Sequence, residues 1–95
     1  MVTVTDREVA FSFYRPMATQ VFVAGDFNGW RPAELPMKRN DEGYWQAKMA
    51  LPPGVFKFRY CADGLWYCDF ASFGIEYGPF GPNSVVRVAR RPLPV

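Results

Sequence analysis

Nine prolines and eight glycines are spread along 95 residues. They leave few windows long enough for a helix of 3.6-residue period, and the chain reads as β throughout. What recurs is short alternating segments closed by turn residues. Residues 7–14 place Val9, Phe11 and Phe13 on one face and Glu8, Ala10 and Ser12 on the other. Arg15-Pro16 ends that run, because proline has no N–H for a ladder. Residues 19–25 form a second strand, followed by a loop from Asp26 to Pro32. A short strand is expected at 35–39, a turn at 40–43, and an alternating strand at 44–51 with Trp45, Ala47, Met49 and Leu51 on one face. Pro52-Pro53-Gly54 turns the chain. Residues 55–62 and 65–70 flank Asp63-Gly64, residues 71–83 read as a long loop, 84–90 as the last strand and 91–95 as a tail. About seven antiparallel strands in a single all-β domain, its core about residues 7–90, describe an immunoglobulin-like β-sandwich.

Asp63-Gly64 also assigns faces. Asp-Gly between two β-rich runs favours a type I′ turn, which needs positive φ at both central positions. With that turn, Ala62 opposes Leu65, Cys61 opposes Trp66, Tyr60 opposes Tyr67 and Arg59 opposes Cys68, and opposed residues share a face. Phe56, Phe58, Tyr60, Leu65 and Tyr67 then form the core face. Lys57, Arg59, Cys61, Trp66 and Cys68 form the other, which two cations turn towards solvent. A tryptophan beside an arginine on a wet face asks for an explanation. A one-residue slip of register would turn it inward.

Composition removes several functions. The chain has no His, so it has no Ser-His-Asp triad, no Cys-His pair and no histidine-ligated metal. Two cysteines cannot make a Cys₄ zinc site, and Cys61 and Cys68, diagonal on one face, are expected as free thiols. A net charge of +2 without a basic cluster gives no case for nucleic acid. No apolar run approaches the roughly 20 residues of a membrane span. The N-terminus lacks a signal-peptide layout, so a soluble, cytoplasmic protein without metal or cofactor is expected. Nine carboxylates are present, but glycoside hydrolysis needs two flanking one bond in a cleft, and most of these fall in turns. A non-catalytic role is therefore expected.

Along Val21-Phe-Val-Ala-Gly-Asp-Phe-Asn-Gly-Trp-Arg-Pro32 the chain resembles carbohydrate-binding module family 48, the early-set domains of isoamylases and branching enzymes and the glycogen-binding domain of the AMP-activated protein kinase beta subunit. The likeness continues through Leu51-Pro-Pro-Gly54, Phe58-Arg-Tyr60, Ala62-Asp-Gly-Leu-Trp66, Asp69 and Phe80-Gly-Pro-Asn-Ser-Val-Val86. It implies an early-set sandwich that binds α-1,4-linked glucan such as glycogen or starch. In sugar-binding members two tryptophans, a lysine and a late asparagine hold the ligand. Trp30 and Trp66 match the tryptophans, Arg59 stands where the lysine is usual, and Asn83 matches the asparagine before the last strand. Arginine keeps the charge and changes the donor geometry. The segment before Asn83 lacks the leucine and threonine of the kinase-type domains, leaving Tyr77 or Phe80 as candidates for the far wall.

The chemistry suits a sugar. The C–H face of glucose is apolar and an indole is a flat apolar plane, while Arg and Asn serve the hydroxyl rim. Covering 50–100 Å² per tryptophan gives about 1–3 kcal/mol. Two platforms less association entropy give a Kd of about 10 μM to 1 mM. The competing reading is a structural domain that docks on a glycogen-metabolism enzyme without binding sugar. There Trp30 caps the sandwich edge, Trp66 packs under the 71–83 loop, Asn83 serves its own turn and Arg59 is a solvated cation. Exposure of Trp30 and Trp66 discriminates between the two.

Overall fold

The computed structural model describes residues 1–31, 34–79 and 81–90. Its strands are β1 (Val2–Thr5), β2 (Glu8–Tyr14), β3 (Val21–Gly25), β4 (Lys38–Arg39), β5 (Tyr44–Ala50), β6 (Gly54–Ala62), β7 (Leu65–Tyr67), β8 (Ile75–Gly78) and β9 (Gly81–Val88). Among the described residues no α-helix occurs; a 3₁₀ turn, Asp26–Asn28, follows β3. Sheet A runs β1-β2-β5-β4 and sheet B runs β3-β6-β9-β8, with β7 added to β6, and all pairings are antiparallel. The two sheets make the expected immunoglobulin-like sandwich, with nine strands among the described residues in place of about seven.

The core follows from alternation. Val9 and Phe11 of β2 and Trp45 of β5 face Val21 and Val23 of β3, Phe58 and Tyr60 of β6, and Val86 and Val88 of β9. Phe11 meets Phe58 edge-on at 5.0 Å, and Phe13 stacks on Tyr60 at 4.5 Å between ring centroids. The indole N–H of Trp45 donates to the Arg15 carbonyl at 2.7 Å, so its burial leaves no unpaired donor.

The central hairpin has the expected register: Ala62 opposes Leu65, Cys61 opposes Trp66 and Tyr60 opposes Tyr67. Asp63 (φ 48°) and Gly64 (φ 84°) both have the positive φ of a type I′ turn. The Asp63 carboxylate also accepts the N–H groups of Thr19 and Gln20. Those donors are thereby taken from the ladder, and β3 begins at Val21 rather than at residue 19.

Other expectations are corrected. Val2–Thr5, which carried no strand expectation, pairs with β2. The 71–83 segment is not all loop, since it holds β8 and the start of β9. Asn83 accordingly lies within the last strand rather than before it. Leu65 does not join the core: it sits beside the hairpin turn, where the sheet ends, and is 62% exposed. The strand expected to reach residue 70 stops at Tyr67. Just beyond it Asp69 turns inward: its N–H donates to Ser84 Oγ at 2.7 Å, and its carboxylate accepts the Tyr60 hydroxyl at 2.6 Å. Cys68 therefore does not oppose Arg59, whose ladder partner is Ala24 of β3. Cys61 and Cys68 are both free thiols. Phe80 and the expected 91–95 tail lie outside the described residues.

Burial, and then the bond to Asp69, push the Tyr60 hydroxyl well above the ordinary tyrosine range. A raised folded-state value contributes stability that is fully present below about pH 10 and is lost as pH rises above it, because the unfolded chain then releases a proton the native chain keeps. Denaturant unfolding between pH 10 and 11.5 is expected to show a decline from this residue that steepens from about 0.7 towards about 1.4 kcal/mol per pH unit. Tyr60→Phe removes that component of the slope. At neutral pH it costs about 1–3 kcal/mol, since Asp69 loses a buried donor.

Candidate functional site

The outer face of sheet B carries an open groove of about 500 Å³. Trp30, Arg59, Trp66 and Asn83, the four residues singled out in the sequence, all line it. They come from three strands and one loop, and the pleat brings them to one face. Arg59 alternates with the buried Phe58 and Tyr60 and so points outward. Trp66, opposite Cys61, points the same way. The β6–β9 register pairs Phe58 with Ser84, which sets Arg59 beside Asn83, and Arg59 Nε donates to Asn83 Oδ1 at 2.7 Å. The Arg59 guanidinium also lies 5.7 Å from the centre of the Trp30 ring, within cation–π range.

Trp30 is delivered by a tightly closed loop. Asn28 accepts the Gly25 N–H through its side-chain oxygen and donates its amide to the Val23 carbonyl. The Trp30 N–H returns to the Gly25 carbonyl at 2.9 Å. Phe27 points the other way, against Phe11 and Phe56, and anchors the loop in the core. Gly29 (φ 63°) and Trp30 (φ 60°) are both left-handed. For a bulky residue this conformation is strained by about 1–3 kcal/mol, and such strain collects at functional sites.

Neither groove tryptophan is buried: Trp66 is 44% exposed and Trp30 is half-buried. Trp45, by contrast, is a core residue at 8%. Tyr77 does not form the far wall. It is paired with Pro82, while its neighbour Glu76 is paired with Asn83, so alternation turns Tyr77 away from the groove. That wall is made instead by Glu76, Gly78 and Pro79. Gly78 leaves room: a Cβ there would lie 3.4 Å from Asn83 Nδ2.

Sequence reasoning passed over three charged groups in the groove: Asp26, Lys57 and Glu76. Lys57 Nζ pairs with Glu76 Oε1 at 2.7 Å, and the Lys57 backbone N–H donates to Asp26 Oδ2 at 3.0 Å. The hydrogen bond and charge of Glu76 hold the Lys57 ammonium above its ordinary range. Strand alternation already put Lys57 on the wet face; Glu76 needed the hidden β8–β9 pairing. Among the described residues no group of three or more His, Cys, Asp or Glu side chains could hold a metal ion. Among the described residues no helix is long and apolar enough to cross a membrane.

The loop depends on the absence of a side chain at Gly25. A Cβ there would stand 2.3 Å from the Lys57 carbonyl oxygen and 2.7 Å from the Phe27 ring. Gly25→Ala is expected to cost about 2–3 kcal/mol in thermal or denaturant unfolding, by overpacking against backbone. It is also expected to shift the Trp30 indole resonance in a proton–nitrogen NMR spectrum.

Comparison with known proteins identifies the family. The profile of carbohydrate-binding module 48 (isoamylase N-terminal domain) matches residues 2–83. A 1,4-alpha-glucan branching enzyme GlgB of Mycobacterium ulcerans is 38% identical over 77 residues, covering 75% of this chain and 10% of the enzyme. The corresponding enzyme of Cupriavidus pinatubonensis is 49% identical over 56 residues, 53% of this chain and 8% of the enzyme. The chloroplastic protein FLOURY ENDOSPERM 6 of rice is 31% identical over 52 residues, 55% of this chain and 10% of that protein. The chain thus spans a tenth or less of the length of these relatives. With a match over residues 2–83 and the two-sheet fold, the chain belongs to the carbohydrate-binding module 48 (isoamylase N-terminal domain) family.

Proposed function

We propose that this chain is a non-catalytic module that binds α-1,4-linked glucan of the glycogen or starch type along the groove of sheet B. One observation carries the reading: two tryptophans, neither buried, line the same groove as a hydrogen-bonded Arg59–Asn83 pair. The indoles supply apolar planes for the C–H faces of glucose rings. Arg59 and Asn83 supply hydrogen bonds to the rim, and their bond to each other holds them in place before a ligand arrives. The strained backbone at Trp30 supports the same assignment, since such conformations collect at functional sites. Family membership and branching-enzyme relatives support the choice of an α-glucan.

Weak binding suits a polymer with repeated sites, and the expected Kd is about 10 μM to 1 mM. A glycogen-metabolism enzyme is the natural companion for such a module, acting on the polymer that the module holds. The two groove carboxylates do not make this a hydrolase. Asp26 is engaged by the Lys57 backbone, and Glu76 is half exposed and ion-paired. Neither sits in the enclosed apolar setting that a general acid needs.

Titration of maltoheptaose by calorimetry and tryptophan fluorescence tests the reading. Wild type is expected to bind saturably. Trp66→Ala is expected to lower affinity at least tenfold with a small change in Tm, because the residue is 44% exposed and lies outside the core. Absence of binding by folded wild type at millimolar sugar would turn this face into a protein-docking surface.

A further inference from the structure

The groove has a charged wall that the four residues above do not account for. Arg59 on β6, Asn83 on β9 and Glu76 on β8 form a row across three strands, since Glu76 is the cross-strand partner of Asn83. Lys57, two residues before Arg59 on the same face, reaches over β9 to Glu76. We infer that Glu76 and Lys57 form a hydroxyl-binding subsite for a further ring of a neutral oligosaccharide chain, beside the rings held by the tryptophans. This inference rests on the glucan-binding reading.

Three features carry it. The first is position, since both side chains line the groove together with Trp30 and Trp66. The second is exposure: the Lys57 and Glu76 side chains are 36% and 47% exposed, and a pair that wet adds little to stability. Its consequence is geometric, because each charge fixes where the other sits. The third is chemistry. An ionised carboxylate only accepts hydrogen bonds, and its two oxygens can span two adjacent hydroxyls of a pyranose. The Lys57 ammonium, with three donors, serves the remaining oxygens. Donor and acceptor side by side match a diol, in which every hydroxyl both gives and takes a hydrogen bond.

The charge balance sets the ligand class. Two cations, Lys57 and Arg59, face two anions, Asp26 and Glu76, around the groove. These four groups carry no net formal charge to draw in an anionic polymer, and Glu76 repels a carboxylated or sulfated ring.

Calorimetric titration of maltoheptaose into wild type, Glu76→Gln and Trp66→Ala tests this. Glu76→Gln is expected to weaken binding five- to tenfold with Tm unchanged. A Glu76→Gln affinity within twofold of wild type, while Trp66→Ala loses binding, would overturn the subsite and leave the tryptophan site standing. No binding by wild type would overturn both. A measurement on unaltered protein keeps the test independent of folding. The Glu76 side-chain carboxyl carbon, followed by NMR, is expected to shift on adding maltoheptaose and to saturate with the Trp66 indole. An unmoved Glu76 signal beside a saturating Trp66 signal would overturn the subsite as well.

Discussion

β6 is the strand on which the rest of the molecule is hung. Over Phe58–Ala62 it pairs with β3, and over Gly54–Phe58 with β9. Beyond β9, β7 takes up Tyr60–Ala62. Residues 60–62 are bonded to β3 and β7 at once, so those strands must lie on opposite edges of β6. One strand thus receives three partners, and its pleat sends Phe58 and Tyr60 into the core while Lys57 and Arg59 enter the groove. Core and groove are two faces of one backbone segment. The groove therefore inherits the rigidity of the core, which is the condition for holding donors at fixed positions before a ligand is present.

The handover from β9 to β7 along β6 needs its own support. Where the two strands meet, the chain must leave the ladder, and backbone groups there would lose partners. Asp69 and Ser84, both buried, fill that gap with the Tyr60 hydroxyl. This polar cluster is small, but it is fully satisfied, as a buried network has to be. It explains a carboxylate in the interior of so small a domain. The groove side chains above it can then be partly exposed without opening the core to water.

Much of this was legible in the sequence, and the reason is local. The Asp-Gly turn demands one register, and that register alone put Trp66 and Arg59 on the same face. Strict alternation in 7–14 and 44–51 located the core of sheet A. What escaped was decided by pairing at a distance. Val2 and Val4 alternate with Thr3 and Thr5, but that signal is too short to stand without its partner β2. β8 was hidden because Pro79 and Pro82, with Gly78 and Gly81, make the segment look like loop. Once β8 is missed, Glu76 cannot be placed opposite Asn83, and Tyr77 remains a false candidate for the wall. Leu65 misled in another way: its face was correctly aligned with Ala62, but the sheet ends there and nothing covers it.

The left-handed backbone at Trp30 has an evolutionary consequence. Stability alone favours glycine or asparagine at that position, since either accepts the conformation with less strain. If the proposed binding role of Trp30 were no longer selected, substitution towards those residues would relieve the strain and make the domain more robust. Under the proposed glucan-binding function, glycine or asparagine at this position would exchange a recognition surface for a sturdier scaffold, so this one backbone conformation couples the two properties.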